Sequence, residues 1–190
     1  MKKKTEKKID KLDFETAFKY PFKRAVGLFN ILWFLLPIIG WFALYGYGIR
    51  IVKHFSNGDF KGLPKFKFGK SLGLGFIMFI KSIPFMIVLG ILNSVLGRTP
   101  MGFLGILFLL IFVVPILAVN FFNKETVASY FEVKKLAPVF NNLGEYIMVI
   151  LKSILLKIIF FVMIIILVGL PAGAFTKNIF IADFYRRYVK

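Results

Sequence analysis

The chain has 190 residues and no cysteine. That excludes disulfides, thiolate metal sites and a thiol nucleophile. It has one histidine, His54, and only nine acidic residues against 26 basic ones. With no cysteine and no clustered acids around it, His54 is not expected to hold a metal. Ser71, Ser82 and Ser153 have no base partner, so a serine nucleophile is not expected either. No Walker or zinc signature is present, and Gly73-x-Gly75 follows no strand, so it reads as helix packing and not as a phosphate loop. These absences lead us to expect no enzyme, no cofactor and no metal.

What is abundant is apolar. Hydrophobic residues make up 58% of the chain, 25 of them Phe, and mean hydropathy is +0.79. Soluble domains are usually about 45–50% apolar. The excess is gathered into long runs of the length a bilayer requires. The net charge of +17 suits nucleic acid or an anionic membrane surface. The apolar runs decide for the membrane, so the expected partner is the lipid bilayer, with anionic lipids, and no nucleic acid. Each basic group near an anionic leaflet gains about 1 kcal/mol.

Charge also orders the chain. Residues 1–24 form a basic segment with nine Lys/Arg, expected in the cytoplasm; it does not resemble a cleavable signal peptide. Residues 25–190 are expected to form a single transmembrane domain. The stretch Ala25–Ile49 carries no charge, yet six Lys/Arg follow in residues 50–70. A single tilted span would put these two basic flanks on opposite sides, whereas a hairpin turning at Pro37–Gly40 keeps both inside. Both readings stand on length; charge favours the hairpin.

The fold class expected is therefore all-α, a polytopic transmembrane bundle with about six crossings in three hairpins. The hairpins cover about residues 17–56, 71–122 and 146–188, with tips at Pro37–Gly40, Gly97–Gly102 and Gly169–Gly173. A basic interfacial segment fills 57–70 and a mixed-charge one, with three Lys and three Glu, fills 123–145, the latter expected as a surface helix ended by Pro138 and Asn141-Asn142. Pro115 falls inside a helix, which a membrane tolerates when a neighbour satisfies the freed carbonyl. A short internal repeat is consistent with three units. Phe14-Glu15 precedes Pro21 as Phe131-Glu132 precedes Pro138, with a weaker echo at Phe60-Lys61 and Pro64.

Several pieces together resemble a prokaryotic membrane family, domain of unknown function 4013. They are Ala17-Phe18-Lys19-Tyr20-Pro21-Phe22, Pro37-Ile38-Ile39-Gly40, Gly46-Tyr47-Gly48-Ile49-Arg50 and Leu63-Pro64-Lys65-Phe66. The apolar run ending at Pro84, Tyr130-Phe131-Glu132-Val133 and Gly144-Glu145-Tyr146 complete the match. The Gly-Tyr…Arg…Leu-Pro order is its most specific part. Where the family usually has an acidic segment with Trp, this chain has Lys67-Phe68-Gly69-Lys70. The resemblance implies a multi-pass protein of a prokaryotic cell (plasma) membrane and supplies no catalytic residue.

Candidate sites are the charges that a membrane makes costly. Lys81, Lys152 and Lys157 lie in apolar helices, where a charge costs about 2.5–3.5 kcal/mol. They either snorkel to the basic face or serve function. Asp183 is the one acid inside a predicted helix core. It either pairs with Lys157 or Lys81 inside the bundle, or faces headgroups beside Arg186. Tyr47, Arg50, Arg186 and Arg187 are candidate lipid-headgroup contacts: guanidinium suits phosphate and Tyr suits the interface. Plain interface anchoring is the alternative for Tyr47 and Arg50.

Two functions follow. One is a binding or structural membrane module whose basic cytoplasmic face holds anionic lipids, a partner protein or a second copy of the chain. The other is a small-solute or ion transporter or channel subunit, using helices broken at Pro37, Pro84, Pro115 and Pro171 and the buried charges Lys81 and Asp183.

Overall fold

The computed structural model describes residues 11–190. The first ten residues of the basic N-terminal segment lie outside the described residues. All regular structure among the described residues is helical. Among the described residues three helices are long and apolar enough to cross a membrane: Phe68–Leu96, Pro100–Lys124 and Leu143–Ile165.

The first described helix is α1, Phe14–Lys19, whose first turn is capped by Asp13: its carboxylate accepts from the Thr16 amide at 2.7 Å. The sequence predicts one helix from about Ala17 to Leu36. Instead Pro21 opens a separate 3-10 helix, Phe22–Leu35, kinked at Arg24. Pro fixes its own φ and offers no N–H, so the α-helix stops before it.

The chain then reverses at Leu36–Ile38. The Pro37 carbonyl accepts from the Ile39 amide at 2.7 Å, with Ile38 at φ 63°. This is a γ-turn of the rare positive-φ kind, strained for a β-branched residue. Helix α2, Ile39–Ser56, returns along the 3-10 helix, and the Trp41 indole N–H donates to the Phe34 carbonyl at 3.1 Å.

Helix α3, Phe68–Leu96, continues through Pro84 and packs closely on α2. Next come α4, Pro100–Phe108, a π-helical turn at Leu109–Val113, and α5, Val114–Lys124. The π turn sits just before Pro115, whose ring excludes the carbonyl four residues back.

Residues 123–145 do not form the expected single surface helix. They fold as two 3-10 turns, Val127–Phe131 and Val133–Leu136, followed by α6, Ala137–Asn141. Pro138 starts α6 and does not end a helix; in a first turn its missing N–H has no partner to lose. Helix α7, Leu143–Val162, follows.

The third reversal comes earlier than the sequence predicts. A 3-10 turn, Met163–Ile166, leads to Leu167 at φ 61°. The expected tip residues already belong to α8, Gly169–Thr176, with Pro171 in its first turn. Helix α9, Ile179–Phe184, is buried at every position and contacts α2, α5 and α7. A helix apolar on nearly all sides belongs at the centre of a bundle. A π-helical turn, Tyr185–Val189, ends the chain.

The outer faces of α3, α4 and α7 are greasy. Ile87, Val95, Met101, Leu104, Ile158 and Phe161 are all exposed.

Candidate functional site at the basic end

Hydrogen bonds and ion pairs gather four segments, distant in sequence, at one end of the bundle. The N-terminal stretch reaches the loop after α2: Lys23 Nζ donates to the Phe60 carbonyl and Arg24 Nη1 to the Leu63 carbonyl. The C-terminus reaches the same place, with Lys190 Nζ on Asn57 Oδ1 at 2.6 Å. Lys53 pairs with Glu125 just past α5, and Lys11 pairs with Glu145 at the start of α7 at 2.6 Å.

The residues that carry the family resemblance form a clamp here. Tyr47 is fully buried, not facing headgroups, and its hydroxyl donates to the Pro64 carbonyl at 2.9 Å. Arg50 Nη1 donates to the Lys65 carbonyl at 3.1 Å. Thus the Gly-Tyr…Arg stretch of α2 holds the Leu-Pro-Lys turn by its backbone oxygens. These two side chains close a loop with groups expected to meet lipid.

Asp183 does not meet Lys157 or Lys81. Its carboxylate is 2% exposed and takes Arg186 Nη2 at 2.6 Å and Arg187 Nε at 3.0 Å. It also accepts the Leu12 amide at 3.2 Å. The reason is local: residues three and four further along the same helical stretch lie beside it. Arg187 stands between Asp183 and Glu145, 3.7 Å from the latter. The two arginines therefore bind protein carboxylates and are largely covered.

Lys81 reaches the other end of this polar layer, where its Nζ donates to the Glu125 carbonyl at 2.8 Å. Lys157 is exposed on α7 and has no ion-pair partner among the described residues. The candidate charges are thus not one constellation.

Two features were not anticipated. Asn120, fully buried, donates to the Ser129 carbonyl at 2.7 Å and to Glu132 at 3.3 Å, while the Tyr185 hydroxyl donates to its Oδ1 at 2.7 Å. One amide thereby ties α5, the interfacial segment and the last turn together. A single Asn amid Val119 and Phe121 was the available signal. Lys124 completes this corner, with Nζ 2.6 Å from Glu132. Its ammonium holds the Glu132 carboxyl below the usual carboxylate range, with the Asn120 amide assisting.

The second is a cleft of about 370 Å³ lined by Lys53, Lys124, Lys135 and Lys190 with Asn57, Asn123 and Tyr185. No adjacency in sequence announces it; only the fold brings these lysines together.

The family described as protein of unknown function DUF4013 matches residues 29–169, most of the chain. The chain belongs to this family. No curated protein and no solved structure is significantly similar to it. For this DUF4013 member the matched region holds the Tyr47–Pro64 and Arg50–Lys65 clamp, the three long apolar helices and Asn120. The strongly basic N-terminal stretch and all of α9 lie beyond it.

Proposed function

We propose that the protein is a non-catalytic membrane module whose basic end holds anionic lipids or a partner protein. The observation that carries this is the convergence of three basic segments and one mixed-charge segment on one end of an otherwise greasy bundle. A positive surface beside a bilayer attracts acidic headgroups, and each lysine adds about 1 kcal/mol.

We read the chain as six crossings in three hairpins, with both termini on the cytoplasmic side of a prokaryotic cell membrane. The lengths of the first pair support it. The 3-10 helix has 14 residues and, at about 2.0 Å rise, reaches roughly 28 Å. Helix α2 has 18 residues and, at about 1.5 Å rise, reaches roughly 27 Å. Both approach the ~30 Å hydrocarbon thickness. The contacts that return each stretch to the same basic end agree with an even number of passes between them. The exposed apolar faces of α3, α4 and α7 suit lipid, or a second copy or membrane partner.

The test is the lipid that travels with the protein. Purified in native-like patches from a bilayer of mixed phosphatidylglycerol and phosphatidylcholine, it should be enriched in phosphatidylglycerol. A composition equal to the bulk bilayer contradicts the reading.

A second reading is transport of a small anion. Lys177 favours it: this lysine lines a lateral cavity and has no ion-pair partner among the described residues. Anion flux into proteoliposomes that falls on Lys177→Gln supports that reading; no flux above empty vesicles removes it.

A further inference from the structure

The side chains first expected to meet headgroups are engaged elsewhere, so the phosphate contact must come from other groups. We propose that the four-lysine cleft is a discrete site for one anionic phospholipid, its phosphate between the lysines and an acyl chain in the adjoining lateral groove. The proposal rests on the basic-end reading above and narrows it to one ligand and one place.

Charge favours it first. Lys53 and Lys124 are answered by Glu125 and Glu132. Lys135 and Lys190 are answered only by neutral oxygens: the Val189 carbonyl at 2.8 Å and Asn57 Oδ1 at 2.6 Å. Two side-chain carboxylates thus answer four side-chain ammonium groups, and the surplus suits a phosphate diester better than a neutral ligand. Asn57, Asn123 and the Tyr185 rim add uncharged polar groups.

Adjacency favours it second. Along α2, Lys53 lines the cleft while Val52 lines a lateral cavity of about 470 Å³. Along α5, Asn123 and Lys124 line the cleft while Phe122 lines that same cavity. A further cavity of about 420 Å³ shares Leu44, Tyr45, Gly48, Ala174 and Phe175 with it, so the apolar groove runs on toward Phe34 and Leu170. A polar cleft neighboured on α2 and α5 by a mostly apolar groove, which Lys177 and Asn178 also line, suits an amphiphile. Free phosphate would use only the first part.

The experiment titrates the detergent-solubilised full chain with dioctanoyl phosphatidylglycerol, dioctanoyl phosphatidylcholine or inorganic phosphate, reading the thermal shift. Phosphatidylglycerol should raise the melting temperature saturably at one equivalent. Lys135→Gln with Lys190→Gln removes the surplus without stranding a carboxylate. It should weaken binding about 30-fold, at ~1 kcal/mol per lysine. Gly48→Leu fills open space in the groove, since a Cβ there meets nothing within 4 Å. It should weaken binding about tenfold by displacing roughly two methylenes at ~0.8 kcal/mol each. Lys65→Gln with Lys70→Gln, basic residues outside the cleft, should change nothing.

Equal weakening in that control pair overturns the site and leaves the basic-end reading standing, because attraction would then be diffuse. Inorganic phosphate binding as tightly as the lipid, or Gly48→Leu having no effect, overturns the phospholipid assignment. A wild-type protein that treats the two lipids alike overturns both.

Discussion

The Tyr146 hydroxyl donates to the Ile111 carbonyl at 2.8 Å. That carbonyl lies four residues before Pro115, which has no N–H to offer it. The π turn at Leu109–Val113 and the phenol of α7 together resolve the defect that Pro115 creates. Tyr146→Phe should therefore leave a partly buried carbonyl unmet and destabilise the protein by about 1–3 kcal/mol. In a Pro115→Ala background an amide returns and the same change should cost less. A double-mutant cycle by thermal unfolding in detergent measures the coupling; a coupling of zero contradicts the account.

Gly46 and Gly75 form the closest approach between α2 and α3. A Cβ on Gly46 would lie 1.9 Å from the Ser71 carbonyl oxygen, and one on Gly75 1.8 Å from that of Phe42. Both obstacles are backbone, so the helices would have to separate. Gly46→Ala or Gly75→Ala should each cost about 1–3 kcal/mol by overpacking. Gly73→Ala is the control: its Cβ meets nothing within 4 Å. It should be neutral or stabilising by up to ~1 kcal/mol from helix propensity. Three equal changes would contradict the crossing.

Asp183 is the carboxylate on which two covered guanidiniums depend. Asp183→Asn should destabilise the protein by about 3–5 kcal/mol, because a buried charge set loses its counter-charge. An unchanged melting temperature would show that the arginines find other partners. Lys157→Gln should have little effect, since Lys157 has no part in this cluster.

The Glu132 carboxyl sits below its ordinary value of 4.5 in the folded protein, chiefly because of Lys124. The unfolded chain therefore takes up the proton first as pH falls. The contribution to stability is whole above about pH 4.5 and is lost as pH drops through the folded value. Unfolding measured from about pH 7 down to about pH 3 should show wild type and Glu132→Gln differing by a constant amount at the upper end and converging at the lower. A difference that persists unchanged into acid contradicts the pairing.

Local chemistry made some of this legible in the sequence. Pro37 with Gly40, and Gly97 through Pro100, announced reversals because both combinations resist helix. Pro115 announced a helix whose carbonyl needs a neighbour; that the neighbour is Tyr146 depended on how α7 packs. The third reversal was misplaced because Gly169-Leu170-Pro171 reads equally as a turn and as the first turn of a helix. The 3-10 helix was invisible, since the same residues suit α geometry. Tyr47 and Arg50 were assigned to lipid because both residue types favour interfaces. Only the fold shows that the Pro64 and Lys65 carbonyls lie within their reach. Asp183 stood out as the one acid in a helix; pairing at equal depth with Lys157 or Lys81 does not form, while its place beside Arg186 does, with the carboxylate covered and not facing headgroups. The four lysines of the cleft come from α2, α5, the interfacial segment and the last residue, so no window of sequence contains the site.

The threading is tested most directly by cysteine accessibility, because the natural chain has no cysteine to give background. Single cysteines at Leu36, Arg98 and Ile165 mark the three reversals, and ones at Lys61 and Lys134 mark the basic end. In intact cells a membrane-impermeant maleimide should label the first three and reach the other two only after the membrane is opened. Labelling of Lys61→Cys from outside, or of Leu36→Cys and Lys61→Cys from the same side, would contradict the paired crossings.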